Sequence, residues 1–323
     1  MRVSIIIPAY NSQDYIERSL ISAFAAGKMV PGSFEIICVD NNSSDDTNHI
    51  IRRWEKDHPT AVRYVHCEKP GACAARNLGA AYATGDWLQF LDADDTIAAD
   101  KIANQLTISE ESLWIVGAYR HIYSPHKHED AYPNPDLWKG LFFGFGTGHT
   151  ISNLIHRSAF DLVGGWNEDL FSNQDPELCF RLLCAGVPVV IDPEVASFYH
   201  HHDGPRITNT DPGQGVFNRL TMLAAARSFL IQSNPAYYRQ NANYFLGAIL
   251  RSIRILATYD LDRATQTYES IFGDDDEWAD PSSFEHVPLF TRLYPYLGFR
   301  NVEASRRVLA RVLPAGLKAR LKG

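Results

Sequence analysis

The sequence lacks the features that would assign it to several common classes of protein. Its five cysteines form no C-x-x-C pair, and their odd number disfavours both a disulfide framework and a zinc ribbon. No apolar run approaches the roughly 20 residues that a membrane span needs, and no signal-peptide cleavage pattern follows the short apolar stretch at residues 3–7. We therefore expect a cytoplasmic protein.

Basic residues are in deficit as well. The chain has 30 Lys and Arg against 38 Asp and Glu, a net charge of -8, whereas nucleic-acid binding needs a surplus of basic side chains. It also has no G-x-x-x-x-G-K-[ST] loop and no G-x-G-x-x-G after a strand, the signatures of P-loop phosphoryl transfer and of dinucleotide binding. We expect no nucleic-acid partner, and any anionic ligand must be bound by other residues.

What the sequence does contain is an alternating α/β pattern. Short β-branched runs at 3–7, 35–39, 62–65 and 87–91 predict strands, and the helical patterns between them predict crossovers, hence a mostly parallel sheet flanked by helices. Weaker runs at 151–155 and 187–191 predict further strands. Helical patterns at 217–230, 244–256 and 261–272 predict a helical C-terminal region, so we divide the chain into domains at 1–214 and 215–323.

A cluster of carboxylates directly follows the fourth predicted strand, at Asp92, Asp94 and Asp95. Such a cluster is costly unless a cation neutralises it, and hard oxygen ligands suit Mg²⁺ or Mn²⁺, which can bridge a diphosphate. An isolated D-x-D is more typical of a loop that caps a helix. The position at the end of a strand instead favours a metal and diphosphate site.

Four motifs, in this order and spacing, resemble the family 2 glycosyltransferases with the GT-A (Rossmann-like) fold. They are Ile-Ile-Ile-Pro-Ala-Tyr-Asn at 5–11, Val-Asp-Asn-Asn-Ser-Ser-Asp at 39–45, Ala-Arg-Asn at 75–77 between two glycines, and Phe-Leu-Asp-Ala-Asp-Asp at 90–95. The likeness covers residues 1–205. It implies an inverting enzyme that moves a sugar from a nucleoside diphosphate sugar to an acceptor hydroxyl, in polysaccharide or other cell-surface glycan synthesis.

The resemblance also implies which residues bind the donor and the metal. The nucleotide-sugar site would comprise Pro8, Ala9, Tyr10, Asn11, Asp40, Asn41, Arg76, Asp92, Ala93 and Asp94, with Asp94 and Asp95 at a divalent metal. Family members commonly carry an acidic residue where this chain has Asn41, and an asparagine can donate as well as accept a hydrogen bond. The identity of the nucleotide base is therefore left open.

The stretches 164–168 and 173–178 resemble the acceptor side of the family, with Gln174 in place of the usual glutamate. Asp175 keeps the position of the catalytic base, and a carboxylate there can take the proton of the acceptor hydroxyl. Asp before Pro at a helix start is also a capping signal, and the two roles are compatible. Trp166, Glu168 and Gln174 would lie on the acceptor side.

Two further segments, one rich in histidine and one rich in arginine and lysine, complete the predictions. In Tyr199-His200-His201-His202, strand alternation allows only His200 and His202 to share a face, and by resemblance we place His202 first, then His200, at the metal; a solvated surface run is the alternative. Residues 306–322 form a basic amphipathic pattern, which suits either an anionic membrane surface and a lipid-linked acceptor or docking on the protein itself. The enzyme would then act at the inner face of the membrane.

Two other functions fit parts of this pattern. A nucleotidyltransferase also uses strand-end carboxylates and a metal, but it releases pyrophosphate from a nucleoside triphosphate. A non-catalytic glycan-binding relative would keep the fold, although the retention of both the acidic cluster and Asp175 argues against it.

Overall fold

A computed structural model describes residues 2–144, 146–202, 211–273 and 288–312, except for the side chains of Leu289 and of residues 310–312. The chain divides into two units, Met1–Pro205 and Arg206–Gly323. The first unit contains the sheet and the second, where it is described, contains only helices.

A nine-stranded sheet organises the first unit, with the order β3-β2-β1-β4-β8-β6-β9-β5 and with β7 paired to β6. Strands β3, β2, β1 and β4 are mutually parallel, and β9 is parallel to β6. The strands are β1 Arg2–Ala9, β2 Ser33–Asp40, β3 Val62–His66, β4 Trp87–Phe90, β5 Thr96–Ile97, β6 Trp114–Ser124, β7 Lys127–Ala131, β8 Leu154–His156 and β9 Val189–His200. The helices are α1 Ile16–Met29, α2 Thr47–Asp57, α3 Ala72–Tyr82, α4 Lys101–Thr107, α5 Leu137–Phe143, α6 Arg157–Leu162 and α7 Gln174–Cys184.

The predicted α/β fold with a sheet flanked by helices is confirmed, and β3, β2, β1 and β4 are parallel as predicted, but the second half of the sheet mixes parallel and antiparallel pairs. The run at 151–155 forms only the short β8, and the run at 187–191 is the start of the twelve-residue β9. Strands β6 and β7 were not predicted. The first six residues of β6 are all buried and the remainder is partly exposed in a hairpin with β7, so no single alternation holds along the strand.

The central strand β1 is apolar on both faces because helices cover both sides of the sheet. Ile5 and Ile7 pack with Leu20 of α1, whereas Ile6 points to the opposite face, toward α3. There the fit is close, since a Cβ at Gly79 of α3 would lie 2.4 Å from Cγ2 of Ile6. The two buried clusters fix the strand ends relative to one another.

The strand order reverses beside β1, because β2 lies on one side of it and β4 on the other. Loops that leave neighbouring parallel strands at such a point form the usual ligand-binding crevice. Here backbone hydrogen bonds join the loops: Asn41 N donates to Ala9 O at 2.8 Å, and Leu91 N donates to Ile6 O at 3.0 Å. The carboxyl ends of β1, β2 and β4 therefore form one continuous edge.

The second unit confirms the predicted helical C-terminal region. Its helices are α8 Pro212–Ser233, α9 Pro235–Tyr259, α10 Leu261–Phe272, α11 Tyr294–Leu297 and α12 Phe299–Val312, with a 3-10 helix at Leu289–Leu293. Asp211 and Asn234 each cap a helix that begins with proline, the expected start signal. Among the described helices, none is long and apolar enough to cross a membrane.

Candidate active site

Hydrogen bonds to its backbone hold the acidic loop after β4 in place. These bonds do not use the loop's carboxylates. Ser19 Oγ of α1 donates to the carbonyl of Asp92 at 3.0 Å, and the Arg18 guanidinium donates to the carbonyl of Asp94 at 2.5 Å. A turn joins Asp95 N to Asp92 O at 3.1 Å. The hydrogen bonds from helix α1 thus hold the loop through two of its carbonyl groups.

Asp92 is paired with a buried arginine that reaches across the site. Arg76 of α3 donates to Asp92 Oδ1 at 2.6 Å and to Gln174 Oε1 at 2.8 Å, and its guanidinium lies 4.8 Å from the ring centre of Trp166. Burial alone would raise the pKa of Asp92, but the charge of Arg76 holds that pKa below its usual value. The guanidinium of Arg76 therefore bridges the predicted donor and acceptor sides.

Asp94 and His202 lie together, as the predicted metal pair requires. His202 Nε2 is 2.9 Å from Asp94 Oδ2, and the imidazole stacks on Tyr15 with ring centres 4.6 Å apart. His200 is oriented differently: its Nε2 is 2.9 Å from Thr96 Oγ1, while its backbone N–H donates to Asp95 Oδ1 at 2.8 Å. Burial and the charge of Arg18 lower the pKa of His200 to about 4.

A second donor set includes a histidine that the sequence did not single out as a ligand. One ligand atom from each of Asp92, Asp95 and His149 can lie within 4.8 Å of the others. Asp95 is fully buried, and its Oδ2 has no hydrogen-bond partner within the described residues. Burial, Asp94 and Asp92 raise its pKa well above the usual value. Such a carboxylate fits a cation, and carboxylate and imidazole ligands suit Mn²⁺ or Mg²⁺.

At the end of β2, Asp40 and Asn41 have different surroundings. The Asp40 carboxylate accepts hydrogen bonds from Ser43 N and Tyr64 Oη, both at 3.1 Å. The Asn41 amide donates to the carbonyls of Cys67 and Lys69 at 3.1 and 2.7 Å, and its oxygen accepts from Gly71 N at 2.7 Å. Asn41 therefore holds the loop between β3 and α3.

The remaining predicted nucleotide residues lie along the same edge. Asn11 has a left-handed φ of 47° and its side-chain oxygen accepts from Ser44 N at 2.8 Å, which ties the loops after β1 and β2 together. Tyr10 is largely exposed, Pro8 is partly buried, and the side chains of Ala9 and Ala93 are buried in the core. A ligand contact by either alanine would have to use its backbone.

The predicted acceptor residues contact side chains of α3 and of the loop before it. Asn77 donates to the Trp166 carbonyl at 2.8 Å and to Glu168 Oε1 at 2.7 Å, and Lys69 Nζ lies 2.7 Å from Glu168 Oε2. Asp175 follows Gln174 in the first turn, and its Oδ1 is buried with no hydrogen-bond partner among the residues described. A buried carboxylate oxygen without a donor is suited to accept a proton from a ligand.

Comparisons with known proteins agree with this geometry. The chain matches the family model described as "Glycosyl transferase family 2" over residues 4–164. It is 27% identical to an uncharacterized glycosyltransferase of Rickettsia felis over 76% of this chain and 44% of that protein. It is 37% identical to the Escherichia coli UDP-Glc:alpha-D-GlcNAc-diphosphoundecaprenol beta-1,3-glucosyltransferase WfaP over 33% of this chain and 41% of that protein. The chain thus spans less than half the length of either relative.

A similar fold occurs in the crystal structure of S. aureus TarS 1-349 in complex with UDP-GlcNAc. The TM-score is 0.60 at 14% identity, and the match covers 95% of this chain and 92% of that one. The predicted GT-A fold is therefore confirmed. Within that fold class, the chain belongs to the family 2 glycosyltransferases.

Proposed function

We propose that this protein is an inverting glycosyltransferase that moves a sugar from a nucleoside diphosphate sugar to an acceptor hydroxyl. The observation that carries the proposal is the reach of Arg76, which contacts both Asp92 in the acidic loop and Gln174 beside Asp175. Residues predicted for the donor and for the acceptor are thus held by one side chain. We assign the reaction to residues 1–214.

The reaction we propose is a single displacement with Asp175 as the general base. The acceptor oxygen forms a bond to the anomeric carbon while the bond from that carbon to the diphosphate oxygen breaks. The proton of the acceptor hydroxyl passes to the Asp175 carboxylate, whose buried Oδ1 has no donor among the described residues. Arg76, whose pKa is raised above its usual value by Asp92 and Asp175 against the effect of burial, stays cationic beside both carboxylates.

A divalent cation fits the donor side of this site. Asp94 and Asp95 with His202 would hold it, or alternatively Asp92, Asp95 and His149. When bound, Mn²⁺ or Mg²⁺ would neutralise charge on the departing diphosphate. The predicted role of His200 would be limited to its backbone bond to Asp95, because its ring is engaged with Thr96.

For the donor, we favour a uridine diphosphate sugar. The Asp40 carboxylate can only accept hydrogen bonds when ionised, which suits the N–H of a uracil. WfaP is named for transfer from UDP-Glc, and TarS was crystallised with UDP-GlcNAc. For the acceptor, we favour a glycan or a lipid-linked sugar of the kind named for WfaP. The enzyme would then work in cell-surface glycan synthesis at the cytoplasmic face of a membrane.

The test is substitution of the base. In Asp175→Asn the side chain keeps its size but accepts no proton, so we expect turnover to fall by a factor of about 100 or more while binding of the nucleotide is retained. Release of nucleoside diphosphate and calorimetric binding of UDP with Mn²⁺ measure the two effects. Asp169→Asn, at an exposed position in the loop that precedes α7, is the matched control.

Each other outcome would contradict a defined part of the proposal. Transfer at the wild-type rate by Asp175→Asn would mean that another group is the base. Release of pyrophosphate from a nucleoside triphosphate would indicate a nucleotidyltransferase. Failure to bind any nucleoside diphosphate, with or without Mn²⁺, would favour a non-catalytic relative of the fold.

A further inference from the structure

A small apolar patch is exposed in the second unit. The backbone is helical without a break from Leu289 to Leu297, and Leu293, Tyr296 and Leu297 have the i, i+3, i+4 spacing that places side chains on one face. Their exposed fractions are 44%, 83% and 54%. Tyr296 is the most exposed large hydrophobic residue in the described chain. We call these three residues the α11 patch.

The protein holds this patch outward. Tyr294, which lies between Leu293 and Tyr296, and Phe299, which follows Leu297, are buried, and their rings lie 5.7 and 4.5 Å from that of Tyr268 in α10. The Tyr294 hydroxyl also donates to Glu303 of α12. Turning the α11 patch inward would require both aromatic anchors to leave the core, so its exposure is built into the packing of α10, α11 and α12.

The charged residues nearest to the patch in the sequence are basic. Arg292 and Arg300 are exposed beside it. Glu303, the one acidic residue between 288 and 323, is buried and bound by Arg254, Arg306 and Tyr294. Arg300 has an exposed partner in Asp262 of α10. Residues 288–323 contain eight basic side chains in a chain of net charge -8: Arg292, Arg300, Arg306, Arg307, Arg311, Lys318, Arg320 and Lys322.

The size and chemistry of the patch favour a lipid surface over a protein partner. A stable protein interface buries about 800 Å² on each partner, far more than three side chains can offer. Tyrosine, leucine and arginine together are suited to the boundary of a bilayer, where apolar groups enter and guanidinium groups stay at the head groups. Anionic lipids would complement the local charge.

We propose that the α11 patch and the arginines beside it dock the protein on the surface of an anionic lipid bilayer. The predicted basic segment 306–322 lies for the most part outside the described residues. It follows the patch in the sequence and would add positive charge. An acidic run at 274–277, also outside the described residues, would oppose binding. The balance between these charges makes binding depend on salt. This docking goes beyond sugar transfer and does not require it.

Sedimentation of the full chain with vesicles tests the proposal. We expect binding to phosphatidylcholine vesicles that contain phosphatidylglycerol, and little binding to phosphatidylcholine alone. The double variant Tyr296→Ser, Leu297→Ser should bind about tenfold more weakly at any salt concentration. Arg292→Gln with Arg300→Gln should weaken binding at low salt only. The matched control is Ile255→Ser with Tyr259→Ser, which removes two exposed apolar side chains of α9 in the same unit.

The outcomes are separable from those for the proposed function, because no sugar or nucleotide is present. Equal binding by the wild type and by the Tyr296, Leu297 variant would overturn the proposal, as would equal binding to both kinds of vesicle. Unchanged thermal unfolding of each variant shows that the change lies in the surface. A salt-sensitive dimer that disappears in the same variant would instead make the patch an interface between two copies of the chain, which also overturns the proposal.

Discussion

Asp94 and His202 lie within hydrogen-bond distance although 108 positions separate them in the sequence. Because the carboxylate and the imidazole already converge, both could become ligands of one cation with little rearrangement. The second set takes Asp92 and Asp95 from the same acidic loop as Asp94 and adds His149. Residue-level substitution can therefore distinguish the two sets, since each contains a histidine that the other lacks.

We expect His202→Ala and Asp94→Asn each to weaken Mn²⁺-dependent binding of UDP by about tenfold or more, and His149→Ala to weaken it less. Calorimetry with and without Mn²⁺ measures the effect, and Asp57→Asn, an exposed carboxylate at the end of α2, is the control. A loss with His149→Ala but not with His202→Ala would move the cation to the second set. If the binding of UDP by the wild type does not depend on Mn²⁺, both metal-site assignments are wrong.

Asn41 allows a test that does not depend on ligands. Asn41→Asp keeps the shape of the side chain but removes the two N–H groups that donate hydrogen bonds to the Cys67 and Lys69 carbonyls. It also brings a negative charge toward both carbonyl oxygens. We expect a loss of about 1–3 kcal/mol in the free energy of unfolding, measured in urea. Asn48→Asp in α2 should have almost no effect, and an equal loss in both variants would contradict the loop-holding role.

At the scale of elements, strand β4 and helix α4 are joined by a buried polar contact. Lys101 of α4 is 1% exposed, and its Nζ donates to Gln89 Oε1 of β4. Gln89 in turn donates to the Ile151 carbonyl at 3.0 Å, in the segment that carries His149. Burial lowers the pKa of Lys101 from its usual 10.5 to about 7, so the energetics of this contact depend on pH.

The sign of that dependence follows from proton linkage. Between about pH 7 and pH 10 the unfolded chain binds a proton at Lys101 that the folded chain does not, so the free energy of unfolding should rise with pH. Lys101→Met should remove that rise, which amounts to roughly 3–4 kcal/mol across the interval, as measured by urea unfolding. Lys56→Met, at an exposed site in α2, should keep the wild-type slope; the same slope in all three proteins would mean that Lys101 is not buried as a neutral amine.

The elements also differ in how well they could be predicted. β1 and α8 carry their own signals, continuous β-branched residues in one and an Asp-Pro start in the other. β6 does not, because its burial changes halfway along and two of its partners, β8 and β9, are distant in sequence. His149 was missed for the same reason, since its position against Asp92 is set by folding and by no local spacing.

At the scale of the whole molecule, the family motifs predicted the fold class and the edge of the sheet where the loops meet. They did not predict how the side chains are used. Asn41 and Asp40 are adjacent in the sequence, but one holds a loop through three hydrogen bonds while the other keeps a carboxylate at the strand end. Hydrogen bonds of this kind depend on carbonyls brought in by tertiary structure, which a single sequence does not display.

The contact between Arg76 and Gln174 also constrains how the enzyme could be redesigned. An acceptor segment grafted from a relative would replace residues 164–178 and leave the arginine behind. Because the arginine donates to a side-chain oxygen at position 174, a graft carrying Gln or Glu there preserves the contact, whereas one carrying a hydrophobic residue strands a buried guanidinium nitrogen. An exchange of residues 164–178 between members of the family must therefore keep a hydrogen-bond acceptor at position 174.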